Sequence, residues 1–371
     1  MRKISVNYTD AGKKLDRFYA ECVSAGRAGE LLRMEPMRQL EEVKKACGFR
    51  YLRFHGLLFE DMGVYWEDKK GDPHYNWQYV DMLYDSLLRL DIRPFVELSF
   101  TPKAMASGED TVMWWRANIT PPKDYRLWYD FIRALVSHWE KRYGREEVKQ
   151  WYFEVWNEPN HPGFYKAGME EYFRLYDTTC KAVKDVCSQY RVGGPATAGN
   201  EWIEEMIRHC EEEKVPLDFV STHAYGVFGD FDDTGEKVLY LKEDKDAILK
   251  EVQMVYDQVK SSSMPDLEIH YTEWNSSFSP VDPIHDCYIQ AAYLLYHLKR
   301  LSGRVNSMSY WAYTDIIEEL GVPKTPFHGG FGMVTMQGYH KPSYYAYEFL
   351  NRLGKTELDT GDADSIAAKK E

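Results

Sequence analysis

Eight short apolar runs punctuate this sequence, at 17–22, 51–55, 94–100, 151–156, 191–194, 219–223, 268–274 and 308–313. Amphipathic stretches with helical spacing lie between them, most clearly at 77–90, 125–143, 171–187, 201–213, 245–260 and 287–301. A strand–helix order repeated this way demands parallel strand pairing with helical crossovers. Eight such units predict a closed (β/α)8 TIM barrel, and 371 residues suit one large barrel. The rival is an open doubly wound sheet, but the sequence carries neither a GxGxxG turn nor a phosphate loop to support it. No internal repeat or low-complexity linker divides the chain.

Polar chemistry collects where these runs end. His55, Glu97, Asn157, Glu158, His223, Glu273 and Trp311 all stand at or just beyond a C-terminal strand end. In a β/α barrel that is the face on which active sites form.

Composition narrows the class of ligand. A net charge of −13 argues against nucleic acid or an anionic membrane as partner. No apolar run of about 18 residues is present to span a bilayer, and no apolar stretch follows the basic pair near the N-terminus, as a secretory leader requires. The six cysteines are scattered without a CxxC pair, which suits reduced thiols and a cytoplasmic location. Aromatic residues make up 15% of the chain. Most must pack the core, but a subset can stack on the flat apolar faces of sugars.

The run Trp151-Tyr-Phe-Glu-Val-Trp-Asn-Glu-Pro-Asn160 is apolar and aromatic, then abruptly polar. Alternation puts Tyr152, Glu154 and Trp156 on one face, and Pro159 ends the strand. A carboxyl beside Trp and Phe is poorly solvated, so the pKa of Glu158 is expected to rise into the range a general acid needs. Asn157 can bond a substrate hydroxyl without competing for the proton. The competing reading of Glu158 is a cap on the following helix.

Glu268-Ile-His-Tyr-Thr-Glu-Trp-Asn275 has the same shape and delivers Glu273. The hydroxyls of Tyr271 and Thr272 are placed to hold that carboxylate ionised. Its competing reading is a structural ion pair inside the barrel. Two carboxylates flanking a glycosidic bond are the working parts of glycoside hydrolysis. A separation of about 5–5.5 Å retains anomeric configuration through a covalent intermediate, and about 6.5–9.5 Å inverts it.

Support is expected from several strand ends. His55 can donate to a sugar hydroxyl, Tyr225 can bond the nucleophile, His223 can bond a hydroxyl or a carboxylate, and Trp311 can floor the sugar. The long loop 314–332 carries Glu318, Glu319 and Phe327. No HExxH or Cys/His cluster points to a metal, and no GxSxG points to a serine hydrolase. No Arg or Lys fork for a uronate carboxylate stands out near these residues, which favours a neutral sugar.

Arg53-Phe-His-Gly56, Val96-Glu-Leu-Ser-Phe100, the 118–125 segment, Tyr152 to Asn160, Val192-Gly-Gly-Pro195, Thr272-Glu-Trp-Asn275, Pro283-Ile-His-Asp286 and the 327–332 segment together carry a resemblance. Through nearly its whole length the chain resembles glycoside hydrolase family 39, especially its bacterial β-xylosidases. The resemblance implies Glu158 as acid/base and Glu273 as nucleophile, without a cofactor or metal. His55, Asn157, His223, Tyr225, Trp311 and an acid at Glu318 or Glu319 would line the glycone subsite. It implies a barrel over 1–353 and, at 354–371, only the opening of a C-terminal β-sandwich. The activity so implied is exo-acting, retaining release of xylose from xylo-oligosaccharides in xylan degradation. β-Glucosidase, β-galactosidase, α-L-arabinosidase and endo activities stay open, as do a non-catalytic carbohydrate-binding barrel and a homo-oligomeric state.

Overall fold

The computed structural model describes residues 3–370. Eight strands form the barrel: β1 (Cys22–Arg27), β2 (Tyr51–His55), β3 (Arg93–Leu98), β4 (Tyr152–Val155), β5 (Arg191–Thr197), β6 (Phe219–Tyr225), β7 (Glu268–Asn275) and β8 (Ser307–Tyr310). Each pairs in parallel with its neighbours in sequence, and Tyr310 of β8 opposite Val23 of β1 closes the ring. The helices that follow them are α1 (Met34–Cys47), α2 (Gln78–Arg89), α3 (Tyr125–Tyr143), α4 (Met169–Lys184), α5 (Ile203–Glu213), α6 (Ala247–Ser261), α7 (Tyr288–Arg300) and α8 (Pro342–Asn351). The chain therefore folds as the (β/α)8 barrel that its periodicity predicts.

Helix α3 shows why these segments coil. Its buried residues, Trp128, Phe131, Ile132, Leu135, Val136 and Trp139, recur at intervals of three and four and form one apolar stripe. Asp124 caps its start by accepting a hydrogen bond from the Arg126 amide at 2.7 Å. Helix α1 ends at Gly48, whose φ of 82° a residue with a side chain seldom adopts.

The first strand departs from expectation. The apolar run at 17–22 predicts a strand, but Phe18–Ala20 form a 3-10 turn and β1 begins at Cys22. Phe18 and Tyr19 pack into the core from that turn. The true strand, Cys-Val-Ser-Ala-Gly-Arg, has little intrinsic β character. Its small residues suit the crowded interior, where Ser24 Oγ lies 2.7 Å from Ser309 Oγ.

Alternation along the strands stacks the barrel interior in layers. Tyr51, Phe95, Tyr152 and Phe219 pack together towards the N-terminal mouth. Two residues further along each strand stand Arg53, Glu97, Glu154 and Ser221, all fully buried. The C-terminal face of the barrel is thus built above a polar layer rather than an apolar plug.

At the chain ends, Lys13–Lys14, Thr356–Leu358 and Ala367–Lys369 form a small antiparallel sheet. No helix among the described residues is long and apolar enough to cross a membrane.

Candidate active site

A cavity of about 570 Å³ opens at the C-terminal ends of the strands. It brings together His55, Asn157, Glu158, Tyr225, Glu273, Trp311 and Glu319. His223 is buried beneath it, joined to Glu158.

Both glutamates reach the cavity through a break in strand alternation. On β4, Tyr152 and Glu154 face inward, and strict alternation would send Trp156 inward next. Instead Trp156 and Glu158 take positive φ values of 72° and 46°. Trp156 turns outward to donate from Nε1 to the Phe164 carbonyl at 3.1 Å, and Asn157 and Glu158 face the cavity. Such backbone is strained for residues with a Cβ and persists only where its surroundings enforce it. On β7, Thr222 of β6 stands opposite Tyr271, yet the next residue, His223, stands opposite Glu273. Thr272 is the extra residue of a β-bulge, which lets Thr272 and Glu273 both point inward. Trp274 then packs outward near Tyr293 and His297 of α7.

The two carboxyl groups differ in environment. Burial pushes the Glu158 carboxyl up to about 7, against the lowering influence of His161, His55 and Arg53. Its Oε1 shares a 2.8 Å hydrogen bond with His223 Nδ1. Burial pushes His223 down to about 4, so the ring is neutral at neutral pH. Glu273 instead accepts hydrogen bonds from Arg53 Nη1 at 2.8 Å and from the Tyr225 hydroxyl at 2.8 Å, one on each oxygen. Burial, then the Glu273 charge, raises Tyr225 well above the ordinary phenol range, so it stays a donor. His55 Nε2 lies 3.5 Å from Glu273 Oε1. An oxygen of Glu158, an oxygen of Glu273 and a nitrogen of His223 all lie within 4.8 Å of one another.

That trio has the donor types of a metal site. Both oxygens of Glu273, however, already accept from Arg53 and Tyr225. The local cation is the guanidinium.

Arg53 is the residue that the sequence reading missed. Fully buried on β2, it contacts Glu154 at 2.5 Å, Glu97 at 2.8 Å, Glu273 at 2.8 Å and the Asn157 side-chain oxygen at 2.9 Å. Burial works against its charge, but Glu154, Glu97 and Glu273 outweigh burial and hold it above the ordinary range. A fork does therefore stand at the site, contrary to the sequence expectation. It is wholly committed to three glutamates and the Asn157 side-chain oxygen and leaves nothing for a uronate. Parity offered a signal, because Arg53 and His55 are two apart on one strand and share a face. Glu97 does similar hidden work: its Oε2 lies 2.7 Å from His55 Nδ1, which orients the ring's other nitrogen towards Glu273. Burial would lower His55, but the Glu97 charge and hydrogen bond raise it overall.

One other expectation changes, and the β8 loop sorts its own residues. Tyr271 and Thr272 do not hold Glu273: Tyr271 donates to Asn200 and Thr272 to Glu154. Glu318 lies outside the cavity, paired with Arg33 and Arg27, and its neighbour Glu319 lines the wall. Phe327 is exposed and stacks near Tyr339, while Phe331 from the same loop faces the cavity beside Trp311. The ion-pair reading of Glu273 and its place in the cavity both hold, since one carboxylate does both.

The family model for glycosyl hydrolases family 39 matches residues 2–368. A β-xylosidase of Geobacillus stearothermophilus is 44% identical over 98% of this chain and 74% of its own length. A β-xylosidase of Caldicellulosiruptor saccharolyticus is 40% identical over 100% of this chain and 76% of its own. Among solved structures, a monomeric β-xylosidase from Caulobacter crescentus CB15 superposes with a TM-score of 0.96 at 42% identity, over 99% of this chain and 74% of that one.

Proposed function

The chain belongs to glycosyl hydrolases family 39, and from that premise we propose that it is a retaining, exo-acting β-xylosidase that releases xylose from the non-reducing ends of xylo-oligosaccharides. The observation that carries the mechanism is the pair of carboxyl groups facing one cavity, with an oxygen of one within 4.8 Å of an oxygen of the other, the first pushed up to about 7 by burial and the second held by Arg53 and Tyr225. A separation this short supports retention, because an inverting pair needs room for a water.

In the first step Glu273 attacks the anomeric carbon while the Glu158 carboxyl protonates the leaving oxygen. The carboxylate becomes an ester, the glycosidic bond breaks and the alcohol departs with the proton. Loss of the Glu273 charge then lowers the pKa of Glu158, which takes a proton from water as that water attacks the anomeric carbon and the Glu273 carboxylate leaves. His55, Asn157, Tyr225, Trp311 and Glu319 grip the glycone in this reading. His223 holds Glu158.

Xylose as glycone is supported by the names of the relatives at 40–44% identity. A neutral sugar is supported by the full engagement of Arg53 and by the pairing of Lys242, at the cavity edge, with Glu251. A volume of about 570 Å³ is that of a small-ligand pocket, which supports removal of one terminal residue. The reading includes a cytoplasmic location, supported by six unpaired thiols, four of them buried. It also takes residues 354–371 as the opening of a second, β-rich unit, supported by the antiparallel pairing of Thr356–Leu358 with Ala367–Lys369.

The test is hydrolysis of p-nitrophenyl β-D-xylopyranoside by this chain and by Glu273→Ala. Turnover by the parent that disappears in the variant is expected, with β-xylose as the first-formed anomer by NMR. Faster turnover of the matching β-glucoside, β-galactoside or α-L-arabinoside would move the glycone assignment. First-formed α-xylose would overturn retention.

A further inference from the structure

Glu319 stands where electrostatics should not leave it. It shares the cavity wall with Glu158 and Glu273, and among the described residues its carboxylate has neither an ion-pair nor a hydrogen-bond partner. Burial disfavours its charge most; His55 favours the charge, and the carboxylates of Glu273, Glu30 and Glu158 work against it, so that on balance its carboxyl is pushed up to about 7. It also sits in the long irregular connection after β8, where no ladder or helix fixes the backbone. A side chain so placed would swing to solvent unless its neighbours prevented it.

The restraint lies one residue earlier. The Glu318 amide donates to Glu30 Oε1 at 2.9 Å, and the Arg27 amide donates to Glu30 Oε2 at 3.2 Å. Glu30 is 2% exposed, so its carboxylate bridges the backbone at the end of β1 to the backbone of the β8 loop. The Glu318 side chain is gripped in turn by Arg33 and, at 3.5 Å, by Arg27. Arg27 also pairs with Asp61 from the connection after β2 and lies 5.3 Å from the ring of Trp115, from the connection after β3. Four connections on the catalytic face thus meet at one guanidinium. Glycines leave the room for it: a Cβ at Gly26 would lie 2.3 Å from Glu30 Oε2, and one at Gly29 would lie 2.1 Å from Asp61 Oδ2.

We propose that Arg27, Arg33 and Glu30 form a clamp on Glu318 whose function is to hold Glu319 in the glycone end of the cavity. They are positioning residues and act only through Glu319. Pinning both the amide and the carboxylate of Glu318 to the β1 side fixes the local backbone, and the next side chain is directed into the cavity. The clamp rests on the reading of Glu319 as a glycone contact.

The test is a double-mutant cycle on kcat/KM, using the aryl β-glycoside that the parent turns over fastest. Arg33→Ala, Arg27→Met and Glu319→Ala are measured singly, and each arginine variant is also combined with Glu319→Ala. Displacing a substrate contact from a distance costs about tenfold to a hundredfold, and that loss is expected for each arginine variant alone. On top of Glu319→Ala, the arginine changes should cost less than about twofold, since the group they position is gone. Losses that add in full, or arginine variants with parental kcat/KM, overturn the clamp. If Glu319→Ala itself matches the parent, the glycone reading of Glu319 fails and the clamp fails with it, a result distinct from the other two. Arg33 is half-exposed, with 48% of its side-chain surface accessible, so Arg33→Ala carries the test even if the more deeply buried Arg27 variant does not fold.

Discussion

If Glu158 is the acid of the proposed mechanism, burial there acts on activity and on stability through one proton. The carboxyl is pushed from 4.5 up to about 7, and a general acid works only while protonated. The kcat/KM of the parent should therefore fall as pH rises through about 7. Glu319, also pushed up to about 7 by burial, faces the same cavity. The two are separated by Glu158→Ala assayed with an activated aryl leaving group, which needs no proton. Loss of the basic limb in that variant assigns it to Glu158, and a limb that persists assigns it to Glu319. With a poor leaving group the same variant should lose far more, about 10²–10⁴-fold; equal losses on both substrate types would remove Glu158 as the acid. For stability, the folded pKa lies above the unfolded one, so the folded state holds the proton more tightly. Stability is then lost as pH rises from about 4.5 through about 7. Glu158→Gln stays neutral and should be more stable than the parent by about 1–3 kcal/mol at pH ~8, with the gap closing near pH ~4.5 in urea titrations. An unchanged gap across that range would count against burial as the cause.

Among the elements, β5 shows how closely the barrel walls approach. A Cβ on Gly193 would lie 2.3 Å from the Phe219 carbonyl oxygen of β6, and one on Gly194 would lie 2.5 Å from the Tyr172 hydroxyl of α4. That hydroxyl donates to the Val155 carbonyl at 3.1 Å, at the very end of β4. Gly193→Ala meets backbone and should destabilise the fold by about 1–3 kcal/mol in denaturant titration. Gly194→Ala displaces only a side-chain tip, so it should cost less in stability. It disturbs the turn that presents Glu158, so it should lower kcat. A smaller stability loss at Gly193 than at Gly194 would show that this strand packing is misread. The elements themselves were largely legible in the sequence. The stripe of α3 and the apolar runs of β2, β4, β6 and β7 need only local periodicity. The first strand was not, because Cys22–Arg27 owes its conformation to neighbours on both sides rather than to its own residues.

Across the whole molecule, the loops that shape the cavity are held by buried charge. Lys341, fully buried at the start of α8, lies 2.6 Å from Asp286 and 2.9 Å from Asp315 and donates to the Gly330 carbonyl at 2.7 Å. It joins the connection after β7 to the loop after β8 that carries Phe331 into the cavity. Lys341→Met leaves two acids unpaired and should cost about 3–5 kcal/mol, measured by chemical denaturation. A near-neutral effect would show the cluster to be dispensable. The division of labour between sequence and fold follows from range. By itself the sequence determined the barrel, the face that carries the chemistry and the two carboxyl groups at its centre, because periodicity and abrupt strand ends are local signals. Only the tertiary structure decided which way those residues point and what holds them. The bulge at Thr272 and the positive φ at Trp156 reverse strand parity. Arg53 meets Glu154 and Glu273 from 101 and 220 residues away. Glu318 and Glu319, adjacent and chemically identical, are sorted into clamp and cavity by Glu30, 288 residues earlier than Glu318. Contacts at such separations exist only once the strands have closed into a ring, and no local pattern encodes them.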